Sequence, residues 1–115
     1  MIVSCEIVEK HVEWLLDNGE KVKITDYSAE SVVNDESMVL IMVRKDKGDN
    51  VIVFDEHGTK LYVLENSDSF YIEYMQKHPR FGLVVVASEK IDNKWEDGQY
   101  CYIKNAGFIR QTNSK

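Results

Sequence analysis

Cys5-Glu6-Ile7-Val8-Glu9-Lys10-His11-Val12-Glu13-Trp14-Leu15-Leu16-Asp17 is the stretch whose reading decides the fold. Stepped at about 100° per residue, the helical period, Cys5, Ile7, Val8, His11, Val12, Leu15 and Leu16 share one broad arc, with Trp14 at its edge. Glu6, Glu9, Glu13 and Asp17 fall on the opposite side at spacings of 3, 4 and 4, in line along one face. Ser4 suits an N-cap, and Asn18-Gly19 suits a C-terminal stop. The pattern predicts an amphipathic N-terminal helix with an acidic outer stripe.

Working outward, Glu20 to Thr25 alternates around Val22 and Ile24 as a strand, and Ser28 to Asn34 reads as a short helical turn. Ser37 to Lys45, Asn50 to Asp55 and Lys60 to Glu65 form a three-strand meander. Its turns are Asp46-Lys47-Gly48-Asp49 and Glu56-His57-Gly58-Thr59. Ser67 to His78 reads as a second helix through Phe70, Tyr71, Ile72, Tyr74 and Met75, ended by Pro79. Phe81 to Ser88, Gln99 to Lys104 and Phe108 to Gln111 make a second meander, with turns at Asp97-Gly98 and Asn105-Ala106-Gly107. The tail from Gln111 to Lys115 is expected to fray.

Tight turns between strands imply antiparallel pairing. The expected class is therefore α+β: an antiparallel sheet of about six to seven strands, with the N-terminal helix and a second helix near residues 67–78. At 115 residues the chain is expected to be a single domain, 1–115. Several strands are apolar on both faces, so both faces of the sheet must be covered. Two helices cover one face. The other calls for sheet curvature, the short helix, or a second copy of the chain as a homodimer.

The formal net charge is −6, and the first 36 residues carry the excess, with nine acids against three bases. That balance disfavours direct nucleic-acid binding, which needs clustered Lys and Arg, and favours a basic protein partner. No apolar run approaches the length of a membrane-spanning helix. Ile2-Val3-Ser4-Cys5 resembles a lipoprotein cleavage box but lacks the segments that precede one. Cys5 and Cys101 read as two free thiols of a cytoplasmic protein.

The candidate partner-binding residues are Glu6, Glu9, Glu13, Asp17 and Glu20, with Trp14 as an anchor beside them. The same acids also make the ordinary solvated side of a helix, and Trp14 the edge of a core. A second candidate surface joins Trp95 and Asp97 to Tyr100 and Tyr102, which share one strand face. Ordinary sheet packing is the favoured account of these aromatics. Asp55, Glu56 and His57 hint at a metal or acid–base site, but turn chemistry explains them. His11, His57 and His78 have no metal-ligand spacing, neither cysteine neighbours a histidine, and no glycine-rich phosphate loop is present. No catalytic residue, metal or cofactor is expected.

The segment Trp95-Glu96-Asp97-Gly98-Gln99-Tyr100-Cys101-Tyr102-Ile103-Lys104-Asn105-Ala106-Gly107-Phe108-Ile109-Arg110 resembles terminal hairpins of small bacterial immunity proteins. These are encoded beside polymorphic or contact-dependent toxins. The resemblance covers about 16 residues and the general pattern of a short acidic chain. It carries no catalytic motif and assigns no residue. It implies a role: binding one toxin domain, often a nuclease with a basic cleft, and blocking it. The other readings are a phage-type mimic of nucleic acid, a small enzyme, and a structural subunit of an oligomer.

Overall fold

The computed structural model describes residues 1–46 and 48–112 and is built from strands alone. The strands are β1 (Ile2–Val8), β2 (His11–Leu16), β3 (Lys21–Ile24), β4 (Ser31–Asn34), β5 (Met38–Met42) and β6 (Gly48–Asp55). They continue as β7 (Lys60–Asn66), β8 (Phe70–His78), β9 (Gly82–Ile91), β10 (Lys94–Ile103) and β11 (Gly107–Thr112). Lys47 of the 46–49 connection, and the expected frayed tail from residue 113 onward, lie outside the described residues. Among the described residues, no helix is long and apolar enough to cross a membrane.

The expected α+β class is therefore corrected to all-β. The stretch 5–17 is not a helix but most of a hairpin, with Glu6 opposite Glu13 and Cys5 opposite Trp14. Its turn is Glu9-Lys10, with φ of 51° and 71°. Two left-handed residues in a row are what a two-residue hairpin turn demands, normally met by Asn-Gly. Glu-Lys conceals that turn. The strand period is nonetheless present: Val12, Trp14 and Leu16 are buried, two residues apart. Trp14, which a helix would leave at the rim of its arc, is the largest fully buried side chain. Burying an indole contributes several times the propensity difference between helix and strand, so tertiary packing decides the element.

The second expected helix is β8. Phe70, Ile72 and Met75 pack into the core, a spacing of 2 and then 3. The odd step is a β-bulge at Glu73, because Ile72 pairs with Ala87 while Tyr74 pairs with Val86. One inserted residue shifts the phase of the alternation and imitates a helical repeat. The short helical turn expected at 28–34 is likewise replaced by β4, paired with β5. Asp97-Gly98 is not a turn but the middle of β10. The turn lies earlier, at Asp92-Asn93, with φ of 51° and 63°. Gly98 serves another purpose, since a Cβ there would meet the Arg110 guanidinium carbon at 2.8 Å.

Three antiparallel sheets stack face to face: an N-terminal sheet β1-β2-β3, a central sheet β4-β5-β6-β7, and a C-terminal sheet β11-β10-β9-β8. The central strands alternate between two cores. Val39, Ile41, Ile52 and Phe54 meet Val12, Trp14 and Leu16 of the N-terminal sheet. Leu40, Met42, Val51 and Val53 meet Ile72, Met75, Val85 and Tyr100 of the C-terminal sheet. The central strands, apolar on both faces, are thus covered within one chain.

Polar ties fix the stacking. The Trp14 indole N–H donates to the Glu56 carbonyl at 2.6 Å. Asn66 is buried between the central and C-terminal sheets. Its Oδ1 accepts the Ile72 amide at 2.8 Å and its Nδ2 donates to the Lys45 carbonyl at 3.0 Å. Asn50 reinforces this, donating to the Lys45 carbonyl and accepting the Asn66 amide, each at 2.8 Å.

Candidate partner-binding face

The outer face of the C-terminal sheet is covered by no other layer. Alternation along β9 and β10 turns Val84, Val86 and Ser88, and Asp97, Gln99 and Cys101, away from the core. Tyr71 and Tyr74 on β8, Trp95 and Ile103 on β10 and Ile109 on β11 share that face by register. Five of the ten exposed large hydrophobic side chains among the described residues lie here, so the exposure is concentrated rather than scattered. Beneath them Val84, Val86 and Cys101 form a small separate cluster with Phe81.

At one end of this face is a cleft of about 470 Å³ lined by Ser67, Asp68, Tyr71, Glu73, Ser88 and Trp95. Trp95 is 52% exposed and Tyr71 47%, so both rings present themselves to solvent at the rim. The Ser88 hydroxyl lies 2.5 Å from Glu73 Oε2 and 2.6 Å from Asp97 Oδ1. A hydroxyl has one proton, so Ser88 donates to one of these two carboxylates at a time. Carboxylates gathered in this way gain from any cation that approaches.

Backbone geometry aims Glu73. Its position in the bulge re-directs the side chain, a common use of bulges beside functional sites. Arg44 holds the bulge from the next layer, donating to the Ile72 and Glu73 carbonyls at 3.0 and 3.1 Å. The Asn66 hydrogen bond to the Ile72 amide secures the same point from within.

The sequence-predicted acids do not form a stripe. Glu6 and Glu13 are cross-strand partners on the outer face of the N-terminal sheet, and Lys21 lies 3.3 Å from Glu13. Glu9 is in the hairpin turn. Asp17, past the end of β2, is bonded to the N-terminal amine at 3.0 Å. Glu20 is exposed, its amide held by Asn18. Trp14, expected as a surface anchor, is buried between the N-terminal and central sheets.

The second candidate group divides between two faces. Tyr100 and Tyr102 do share a face, but it is the core side. The Tyr100 hydroxyl donates to Glu89 at 2.8 Å and accepts from Arg110 at 2.9 Å. Burial, followed by the Glu89 contact, pushes Tyr100 up to about 12. Tyr102 packs against Tyr62 and Phe108. Trp95 and Asp97 are on the outer face, Trp95 lining the cleft and Asp97 bonded to Ser88 in its lining. Tyr71, Glu73 and Ser88 join them without having been singled out, because a β8 read as a helix cannot be placed beside β9. The one signal was Ser88, a small polar residue ending the apolar run Leu83 to Ala87.

Other sites are weaker. Asp55 Oδ1 accepts the His57 and Thr59 amides, each at 2.9 Å, which is the turn chemistry expected of that segment. A hollow of about 520 Å³ is lined by Lys10, Glu30, Arg44 and Lys45 among others, but Arg44 pairs with Glu30 and is committed to the β8 carbonyls. Burial pushes the Cys5 thiol up to about 11, with Glu6 adding to the shift, and raises Cys101 too. Thiols so shifted are poor nucleophiles at neutral pH. Among the described residues, no group of three or more His, Cys, Asp or Glu is placed to hold a metal ion. Comparison with protein-family models, with curated proteins and with solved structures returned no match.

Proposed function

We propose that this chain is a cytoplasmic protein-binding module that neutralises a basic partner, in the manner of an immunity protein blocking a toxin domain. Its contact surface is the outer face of the C-terminal sheet. The observation that carries the reading is the pairing, on one otherwise uncovered face, of exposed Trp95, Tyr71 and Tyr74 with the carboxylates of Glu73 and Asp97. Aromatic anchors beside desolvated charge are the composition of an interaction hot spot. The overall charge of −6 adds long-range attraction for a basic surface and speeds encounter. The contribution is binding, with no chemistry on the partner.

The test is association with the product of the adjacent open reading frame, measured by calorimetry at two salt concentrations. A one-to-one complex is expected, weaker at higher salt, and weakened at least about tenfold by Trp95→Ala, the scale of a hot-spot residue. Absence of a complex, or a complex indifferent to Trp95→Ala and Tyr74→Ala, overturns the proposal. Self-association through this face in place of a heteromeric complex overturns it too.

A further inference from the structure

The strands β1, β3, β4, β7, β8 and β11 each end a sheet. An unpaired edge invites a further strand, and proteins blunt edges with short length, lysine, bulges or covering side chains. β3 and β4 have four residues each. On β8, Arg44 takes the Ile72 and Glu73 carbonyls, and on β11 the Gln111 side chain takes the Ile109 carbonyl. β7 carries Lys60, and its register against β6 shifts at two points. β1 is different. Ile2-Val3-Ser4-Cys5-Glu6-Ile7-Val8 has no lysine or proline, and its pairing with β2 is regular from Ser4 onward. Met1, Val3, Ile7 and Val8 are four of the ten exposed large hydrophobic side chains among the described residues.

We propose that β1 pairs with β1 of a second copy of the chain, antiparallel about a two-fold axis at Cys5, to make one six-stranded sheet. This edge belongs to the N-terminal sheet, whereas the proposed partner-binding face belongs to the C-terminal sheet, so the two readings are independent.

The backbone shows which groups are on offer. The Leu16 amide donates to the Glu20 carbonyl on the β3 side, and the Asp17 amide to the Met1 carbonyl on the β1 side. Alternation along β2 then turns Leu15, Glu13 and His11 toward β1, and Trp14 and Val12 toward β3. Ser4, Glu6 and Val8, opposite the first three, bond to β2. Cys5 and Ile7, opposite Trp14 and Val12, point their N–H and C=O outward. The Val3 carbonyl is trans to the Ser4 amide in one peptide unit, so it points outward too. Among the described residues, no hydrogen bond within the chain takes these groups.

The residue pattern selects a second copy and one register. A two-fold antiparallel pair opposes outward residues: Cys5 with Cys5, Cys5 with Ile7, or Ile7 with Ile7. The second choice sets Glu6 against Glu6, and like charges directly opposite destabilise. The third carries Cys5 past the strand end to the Glu9-Lys10 turn. The first sets Glu6 against Ser4, Ile7 against Val3 and Val8 against Ile2. Each Cys5 exchanges both its backbone bonds with its copy, and each Ile7 amide meets a Val3 carbonyl. Exposed Val3, Ile7 and Val8 leave water, and no like charges are opposed. A strand whose apolar residues and single charge fit their own inversion closes as a two-fold dimer.

The test is sedimentation equilibrium of the full chain from about 5 to about 500 µM, with amide hydrogen exchange followed over the same range. A dimer with a dissociation constant of about 10–100 µM is expected, the strength of a small transient interface. Exchange at the Cys5 and Ile7 amides should slow as the dimer fills, while the Ser4 and Glu6 amides are protected throughout. Ile7→Pro removes an outward N–H and no bond to β2, so it should keep the fold and weaken the dimer at least about tenfold. Val3→Lys, an exposed side chain on the same edge, should do the same without touching the backbone. Trp95→Ala should leave the dimer unchanged. A chain that stays monomeric at about 500 µM, a dimer indifferent to Val3→Lys, or a dimer that forms with no slowing at Cys5 and Ile7 overturns the inference. Loss of the dimer in Trp95→Ala places the contact on the C-terminal sheet and overturns it too. Val3→Lys should still bind the adjacent-gene product, so failure of the dimer leaves the proposed function standing, and failure of that binding leaves the dimer standing.

Discussion

Replacing Asn66 with alanine should destabilise the protein by about 2–4 kcal/mol. The side chain makes two hydrogen bonds, and their environments set the size of the loss. The Ile72 amide, a buried donor, loses its partner at 2.8 Å. Leaving a buried donor unsatisfied costs about 1–3 kcal/mol. The bond from Nδ2 to the Lys45 carbonyl adds about 1 kcal/mol. The cost stops there, because Lys45 keeps a donor in Asn50, and the Asn66 backbone amide keeps Asn50 Oδ1. For a chain of this length, about 4 °C of melting temperature corresponds to each kcal/mol, so a fall of about 8–16 °C is expected. Urea unfolding with an unchanged slope would show that the loss is in the native state. Asn66 joins the layers at the point where β8 bulges toward the cleft. A change below about 0.5 kcal/mol, within the range of ordinary surface substitutions, would refute the network as a determinant of layer stacking.

Three further outcomes follow from the same physical account. Glu9→Asn with Lys10→Gly places turn formers where φ is 51° and 71°, and should stabilise the hairpin by about 1–2 kcal/mol in chemical denaturation, since left-handed backbone costs ordinary residues about that much. A true helix at 5–17 would instead lose stability on gaining a glycine. In alkali, Cys5 and Tyr100 are raised in the folded state, to about 11 and about 12, from ordinary values of 9.0 and 10.0. Groups raised on folding contribute stability fully present below the unfolded value and lost as pH climbs through the folded one. Stability should therefore be insensitive to both below pH 9 and fall between about 9 and 12, with Tyr100→Phe removing the upper part of the fall; ultraviolet tyrosinate titration with parallel denaturation checks it. Trp14→Phe keeps an aromatic ring but orphans the part-buried Glu56 carbonyl, and should cost about 1–3 kcal/mol by thermal unfolding.

Much of the scaffold was legible in the residues. Val39 to Val43, Val51 to Phe54 and Leu83 to Ala87 are apolar runs of strand length, and they became β5, β6 and the centre of β9. For β5 and β6, apolar character on both faces correctly called for cover on both sides. What failed was phase. In the first hairpin, a turn made of Glu-Lys instead of Asn-Gly let two short strands read as one periodic element. In β8, the bulge at Glu73 converted a spacing of 2 into 2 and 3. Neither feature is local: a left-handed Glu-Lys pair and a bulge are held by the sheet around them. The site inherited the same loss. Trp95 and Asp97 were visible as an aromatic and an acid on one segment, but Tyr71 and Glu73 reach them only across β9. The acids of the first third matched a helical stripe by arithmetic, whereas a hairpin sends Glu6 and Glu13 to one face and Glu9 and Asp17 to opposite ends.

Hydroxyl-radical footprinting of the chain, alone and with the adjacent-gene product, tests the central claim most directly. Trp95, Tyr71 and Tyr74 are readily oxidised side chains exposed on the outer face, while buried Trp14 is an internal control. The account predicts strong protection of those three on complex formation, with Trp14 unreactive throughout and His11 unchanged. Unaltered oxidation of Trp95, Tyr71 and Tyr74, with protection instead at His11 and Met1 on the N-terminal sheet, would contradict it.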